Sequence, residues 1–314
     1  MQYNADFERV GIIKQGFKWL GILCFKPLFV NVLTQRRNAM YNKVYVEITN
    51  KCNMRCSFCH GHRRTPRSMS EAEFSLILDQ LKDQTKYIYY HLMGEPLTHP
   101  RLPDFIRMAG DRGFQSIITT NGTLLKKRGE ELLSAGLHKV NLSLHSFEEG
   151  SAEAHAQYVG ELAEFAESAA NAGVIVVFRL WNKGLDGGRN DAALRILKEQ
   201  IPDEWRENAR GIRLRDKIYL EWGERFEWPD ENAEIKGEKF FCYGLKDQFG
   251  ILADGTVVPC CLDSDGVIGL GNIFCENLEA ILNSPRARAM TKGFRCGVAS
   301  EDLCRRCGYA QRFV

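Results

Sequence analysis

From residue 44 the chain alternates between two hydrophobic periods, and that alternation restricts its fold more than any other feature. VYVEIT (44–49) is rich in β-branched and aromatic residues and predicts a strand. SEAEFSLILDQLKD (70–83) opens with the capping pair Ser70 and Glu73 and carries apolar residues at helical spacing. Strands follow at 87–93, 115–120, 139–146 and 174–180. Helices lie between them at 102–113, 124–136 and 161–173, with Gly113 and Gly136 as stops. A helical stretch near 191–208 precedes GIRLRDKIYLEW (211–222), read as the last strand. Strand and helix alternating about six times predict a parallel sheet covered by helices. Six units are too few for a closed eight-unit barrel, so a partial barrel or an open doubly wound sheet is expected. In either, chemistry collects at the C-terminal ends of the strands. Cys52, Glu95, Asn121 and His145 each follow a predicted strand and should share one rim.

The 314 residues include 44% hydrophobic and 26% charged, the balance of an ordinary water-soluble chain. A net charge of +2 gives no overall bias toward nucleic acid. Eleven cysteines stand out; the count is odd and the chain is too large to need stapling. Met1–Asp6 is polar, without the opening of a secretory signal, so thiols serving metal in a reducing cytosol are expected. GFKWLGILCFKPLFVNVL (16–33) is apolar, yet Lys18, Lys26 and Pro27 interrupt it well short of a span of about 30 Å. A helical hairpin holding Cys24 in its core is expected there, with an interfacial helix as the alternative.

Residues 223–240 are charged, with a proline and two glycines, and read as a linker. Beyond it lie seven cysteines. GILADGTVVPCCLD predicts a β-hairpin turning at Asp254–Gly255, NLEAILNSPRARAM a helix, and EDLCRRCGYAQRFV a ligand loop. The expected organisation is a helical extension (1–42), a core (43–222), a linker (223–240) and a small second domain (241–314).

Cys52, Cys56 and Cys59 follow the first strand. Three thiolates hold three corners of a [4Fe–4S] cube and leave one iron open, whereas structural zinc takes four ligands. His60 and His62 stand close enough in sequence to complete a zinc site, so the spacing leaves both metals open. HGHRRTPR (60–67) is basic and reads as a solvated loop or as a surface for an anionic substrate or redox partner.

Cys52-x3-Cys56-x2-Cys59 after a first strand, with Phe58 before the last cysteine, resembles the signature of the radical S-adenosylmethionine (radical SAM) superfamily. MGEP (93–96), TTNG (119–122) and LSLHS (142–146) end later strands as segments of that family do, and the resemblance covers roughly residues 43–220. It implies a partial (β/α)6 TIM-like barrel whose open iron takes S-adenosylmethionine. One electron then cleaves that cofactor to methionine and a 5′-deoxyadenosyl radical, which abstracts hydrogen from a substrate. By the same resemblance Phe58, Met93, Gly94, Glu95, Asn121, Ser143 and Arg179 face the cofactor. Glu95 accepts from its amino group, and Arg179 pairs with its carboxylate or forms a structural salt bridge. Met93 departs from the family's usual glycine. His60, His91 and His145 are substrate-binding candidates, and a structural role for His145 stays open.

In the second domain, Cys242, Gly255 and Cys260 match the opening of the SPASM auxiliary-cluster pattern, and Cys304-x2-Cys307 supplies a close pair. The chain ends at Val314 before the further cysteines of a full SPASM domain, so the shortened twitch form with one auxiliary [4Fe–4S] cluster is expected. The spacing is similar to that of 2-deoxy-scyllo-inosamine dehydrogenase, a radical SAM alcohol oxidase. Cys260 and Cys261 are adjacent and point to opposite faces, so one ligates and the other packs, with Cys260 preferred. Cys275 and Cys296 are expected to be bystanders, and a zinc knuckle is the alternative for the whole domain.

The resulting expectation is a cytoplasmic radical SAM enzyme acting on a small molecule (sugar, cyclitol or modified nucleobase). It uses two [4Fe–4S] clusters and S-adenosylmethionine, and takes electrons from a flavodoxin or ferredoxin, with neither nucleic acid nor membrane as partner. Residues 1–42 are too short for a leader-peptide-binding domain, which favours a small molecule over a peptide. Peptide modification is the alternative within the fold, and a non-catalytic zinc-binding interaction protein is the alternative outside it.

Overall fold

The computed structural model describes residues 41–313, so the expected hairpin at 16–33 and Cys24 lie outside the described residues. The elements alternate as the periodicity requires. β1 (Lys43–Val46), α1 (Glu71–Leu81), β2 (Tyr87–Tyr89), α2 (Leu102–Asp111), β3 (Gln115–Thr120) and α3 (Leu125–Ser134) come first. They lead into β4 (Lys139–Ser143), α4 (Ala152–Asn171), β5 (Ile175–Leu180) and α5 (Arg189–Gln200). The Ser70 hydroxyl and Glu73 carboxylate form a reciprocal capping box at the start of α1.

Two expectations change after α5. The helix stops at Gln200, and residues near its expected end form β6 (Arg206–Asn208). The stretch 211–222 is an antiparallel pair, β7 (Gly211–Arg215) and β8 (Ile218–Trp222), because Lys217 turns the chain at φ +61°. β8 is the sixth parallel strand, pairing Phe178 with Leu220 and Arg179 with Glu221.

The C-terminal hairpin is β9 (Gln248–Ile251) and β10 (Thr256–Val258), followed by β11 (Gly271–Asn272). The expected single helix there is two, α6 (Leu278–Leu282) and α7 (Pro285–Arg295). Pro285 cannot continue α6, and Ser284 caps α7 instead. A short α8 (Asp302–Arg305) carries Cys304. β9 pairs parallel to β1, so one open sheet runs β11-β10-β9-β1-β2-β3-β4-β5-β8-β7-β6. The cysteine-rich segment thus extends the same sheet that carries the first cysteine loop.

Period two gives the sheet two unlike faces. Val44, Val46, Ile88, Ile118, Val140, Leu142, Val176, Phe178, Ile218 and Leu220 are fully buried with Phe74, Leu78, Phe105, Leu132, Val159 and Ala166 of the helices. Each large aliphatic or aromatic side chain buried this way stabilises the fold by about 1.5–3 kcal/mol. The alternate positions carry Tyr45, Glu47, Tyr89, Thr119, Asn141, Arg179 and Glu221. The concave face is therefore largely polar, with Ile117 and Val177 as apolar positions, and the strand ends above it present the loops of the site.

Candidate functional site

The cysteine loop leaves β1 at the rim, with Cys52 and Cys59 exposed and Cys56 half-buried. The Cys59 amide donates to the Cys56 carbonyl (3.1 Å), and the Met54 amide to Cys52 Sγ (3.4 Å). Burial, reinforced by Cys59, Cys52 and Glu148, pushes the Cys56 thiol up to about 12. Burial also raises Cys52, so binding a metal here must displace protons.

Segments distant in sequence hold this loop. Glu148, just past β4, accepts from the Ser57 amide and hydroxyl, and Arg225 donates to the same carboxylate (2.9 Å). Arg225 lies 5.5 Å from the Phe58 ring centroid, and Trp228 Nε1 donates to the Phe58 carbonyl (3.0 Å). Phe58 also packs on His145, with centroids 4.8 Å apart. His60 stacks on Trp228 and approaches Asp230 (3.8 Å), while His62 Nε2 meets the Asn50 carbonyl (2.8 Å). Both imidazoles are thus engaged beside the loop. Among the described residues, no three His, Cys, Asp or Glu side chains converge as a single metal ion requires.

The exits of β2 and β3 close against the loop. Gly94 has φ +76°, and a Cβ there would lie 2.4 Å from the Thr49 carbonyl oxygen, so only glycine lets this backbone meet β1. The Glu95 amide donates to Lys51 O (2.8 Å). The Glu95 carboxylate is buried and accepts from the Leu97 (3.0 Å) and Asn121 (2.8 Å) amides. Burial raises it to about 7 against those bonds. Asn121 Nδ2 donates to Asn53 Oδ1 (2.9 Å), inside the cysteine loop, and the Asn121 carbonyl accepts from Tyr158 (2.7 Å). Cys52, Glu95, Asn121 and His145 therefore do gather at one rim.

His145 is buried, held by the Arg179 carbonyl (3.0 Å), and burial lowers it to about 4. Half-buried Ser143 gives its carbonyl to Ser146 Oγ (2.7 Å). The Arg179 guanidinium sits 3.8 Å from Glu221 and over Trp181. His91 packs on the rings of Tyr45 and Tyr89 on the concave face.

The basic stretch 60–67 is solvated in part, with His60, Arg63, Thr65 and Pro66 exposed, but its arginines are ion-paired. Arg63 pairs with Asp265 (2.9 Å) and Glu231 (2.9 Å), and Arg67 with Glu73. Arg64 grips the fully buried Glu47 with two 2.7 Å bonds and donates Nε to the Ser264 carbonyl (2.7 Å). Glu47 further accepts from the Met93 (3.0 Å) and Ala253 (3.1 Å) amides. One satisfied ion pair therefore joins β1, the cysteine loop, MGEP and the C-terminal hairpin. No sequence signal marked Glu47, because three of its partners lie 17 to 206 residues away.

The four expected C-terminal cysteines, Cys242, Cys260, Cys304 and Cys307, line one cavity with Phe240, Phe241, Leu262 and Leu303. Burial drives all four thiols up, with Cys242 at about 11. Cys261, in the turn after β10, is not in that lining; it packs against Tyr45, Leu92, Leu252 and Val258. Cys275 and Cys296 are exposed. The donor sets fit the implied groups: a three-thiol loop on an accessible rim and a four-thiol apolar pocket.

Residues 46–182 match the radical SAM superfamily, and residues 242–308 match SPASM, an iron–sulfur cluster-binding domain. The chain belongs to the radical SAM superfamily and carries a SPASM domain.

A cofactor-modifying protein for the tungsten-containing aldehyde ferredoxin oxidoreductase of Pyrococcus furiosus is 36% identical to this radical SAM chain over 32% of the chain and 30% of its own length. GTP 3′,8-cyclase of Chlorobaculum tepidum is 33% identical over 37% of each. The chain thus aligns with about a third of the length of these curated relatives. Among solved structures, BtrN in complex with AdoMet and 2-DOIA superposes with TM-score 0.57 at 19% identity, covering 86% of this chain and 94% of that one. AdoMet-bound anSMEcpe superposes with TM-score 0.55 at 14% identity, covering 79% and 82%. Both likenesses concern the fold. [4Fe–4S] clusters and S-adenosylmethionine are the cofactors of this enzyme class. Among the described residues no helix is long and apolar enough to cross a membrane.

Proposed function

We propose that this radical SAM enzyme cleaves S-adenosylmethionine reductively and abstracts hydrogen from a small molecule (sugar, cyclitol or modified nucleobase), ending in an oxidation or bond cleavage. Cys52, Cys56 and Cys59 hold the first cluster; Cys242, Cys260, Cys304 and Cys307 hold the auxiliary one. The domain limits are 43–222 for the core and 241–314 for the auxiliary domain, and a flavodoxin or ferredoxin in the cytoplasm serves as donor. The observation that carries the reading is the hydrogen-bonded rim, in which Asn53 of the cysteine loop, Asn121 and Glu95 form one connected set.

When bound, the cofactors supply one-electron cleavage and a hydrogen-abstracting radical. The chain's own residues orient and shield. Gly94 brings the MGEP backbone onto Thr49 and Asn50, and its carbonyls would be the acceptors for the cofactor's amine at the loop. Glu95, pinned by two amides, would offer its remaining lone pairs to the same ammonium. Asn121 and Ser143 stand at neighbouring strand ends for the ribose, and Phe58 and His145 form an apolar wall against water. The enclosed C-terminal thiols bind a fully ligated group, suited to exchanging electrons rather than to holding substrate.

Anaerobic reconstitution should give a brown protein with about eight irons per chain that forms 5′-deoxyadenosine under reduction. A colourless zinc protein, or iron without 5′-deoxyadenosine, would overturn the reading.

A further inference from the structure

Residues 224–237 lie between two cysteine loops that are distant in sequence, and neighbouring side chains reach opposite ways. Arg225 donates to Glu148 (2.9 Å) and to Ser57 Oγ (3.5 Å), beside Cys56. On either side of it, Glu224 and Phe226 meet the C-terminal loop. The Glu224 carbonyl accepts from Arg312, and Phe226 packs edge-on against Tyr309, with centroids 5.0 Å apart. Trp228 turns back to the first loop, donating Nε1 to the Phe58 carbonyl (3.0 Å) and stacking on His60. The rings of Phe226 and Trp228 lie 5.4 Å apart. Trp228, Phe226 and Tyr309 thus form one row of rings, from the backbone before Cys59 to the second residue after Cys307.

Further contacts fasten the same segment to the C-terminal loop. Gly308 comes so close that a Cβ there would lie 2.7 Å from the Glu227 carbonyl oxygen. The Arg305 carbonyl accepts from the Lys236 amide (2.8 Å), and Arg306 donates to the Ala233 carbonyl. Ser57, Phe58 and His60 on one side, and Arg306, Gly308 and Tyr309 on the other, all lie within two residues of an expected ligand cysteine. The linker therefore grips both loops at the points that ligation would fix. The C-terminal loop has little regular structure of its own to hold it. α8 is 4 residues long, far short of the roughly 12 that an isolated helix needs. Bonds from Cys304 and Cys307 to a bound group supply the missing order, because binding free energy at such a site is also folding free energy.

We propose that the linker couples the two sites, with Arg225, Phe226 and Trp228 as positioning residues. Loading the C-terminal thiols orders the C-terminal loop, and the linker passes that order to the Cys52–Cys59 loop. This goes beyond the function proposed above and rests on its assignment of the two ligand sets. The test uses the full chain, reconstituted anaerobically. In Cys52→Ala/Cys56→Ala/Cys59→Ala only the C-terminal site loads, with about four irons. Hydrogen exchange at the amides of residues 57–60 should then slow about tenfold relative to the unloaded chain. Adding Arg225→Gln and Trp228→Phe should remove that slowing with iron unchanged. If the triple variant fails to fold, Cys304→Ser/Cys307→Ser takes its place, read by titration with S-adenosylmethionine. The pair should weaken binding about tenfold in the wild-type background and less than about twofold in the Trp228→Phe background. A linker that only stabilises the fold would give the same ratio in both. Exchange indifferent to C-terminal loading, slowing that survives loss of both linker side chains, or equal ratios in the two backgrounds would overturn the proposal. If zinc, not iron, loads the C-terminal thiols and produces the slowing, the iron–sulfur assignment falls and the coupling stands.

Discussion

The two cysteine sites use the same ligand chemistry in opposite settings. Cys52 and Cys59 sit exposed on a loop whose shape comes from elsewhere: Glu148, Arg225, Trp228 and Asn121 hold it from outside. Cys242, Cys260, Cys304 and Cys307 line an apolar cavity shaped mostly by their own segment, with Pro229 and Phe240 from the linker. An exposed loop with three thiols leaves room for an exchangeable ligand; an enclosed pocket with four needs only to be filled. The Glu47–Arg64 pair touches both settings, since Glu47 accepts from Ala253 and Arg64 donates to Ser264.

The contrast can be broken in four ways. The largest effect is expected for Cys56→Ala, which should abolish 5′-deoxyadenosine. Cys304→Ala should lose roughly half the iron while cofactor cleavage persists uncoupled from product. Iron counting and product assay on both variants check this, and equal losses of cleavage would erase the distinction between the sites. Next is Glu47→Ala, which strands a buried guanidinium and should cost about 3–5 kcal/mol in denaturant unfolding. Its signature is reduced iron at both sites; loss at one site alone would show that the pair does not link them.

Gly94→Ala should follow. An added Cβ overlaps the Thr49 carbonyl in a left-handed conformation costing about 1–2 kcal/mol, before any shift of the β2 exit. Isothermal titration with S-adenosylmethionine should show weaker binding, with the auxiliary cluster's spectrum unchanged.

The smallest effect concerns pH. The Glu95 carboxyl, at about 7 in the folded protein, lies above the ordinary value near 4.3. The folded state therefore binds this proton more readily than the unfolded chain. Its contribution to stability is complete below about pH 4.3 and is lost as pH rises through about 7. Affinity for the cofactor's ammonium should move the other way and strengthen through the same range. Glu95→Gln should flatten both profiles, and an unchanged profile would remove Glu95 from cofactor binding.

Much of the fold was legible because it is written in local periods. β3, β5 and α1 fall within two residues of their expected limits, since alternation and 3.6-residue spacing are properties of a dozen neighbouring residues. The splitting of 211–222 depended on one positive φ at Lys217, which a lysine does not advertise. In the candidate site, the cysteine positions and the strand-end placement of Glu95, Asn121 and His145 were readable from spacing. The linker was read as bland, yet Arg225 and Trp228 within it hold the cysteine loop. Stretch 60–67 looked free because its acidic partners, Glu231 and Asp265, come some 170 to 200 residues later.

By itself the sequence determined the number and kind of elements, the two cysteine groups and the family they indicate, because helices, strands and metal-ligand spacings are set by residues close along the chain. Only the tertiary structure decided that Cys260 rather than Cys261 lines the C-terminal cavity and that Glu47, with Arg64, ties the first strand to the C-terminal hairpin. Those outcomes depend on which side of a strand meets which distant segment, and that is settled when the sheet pairs and the core closes.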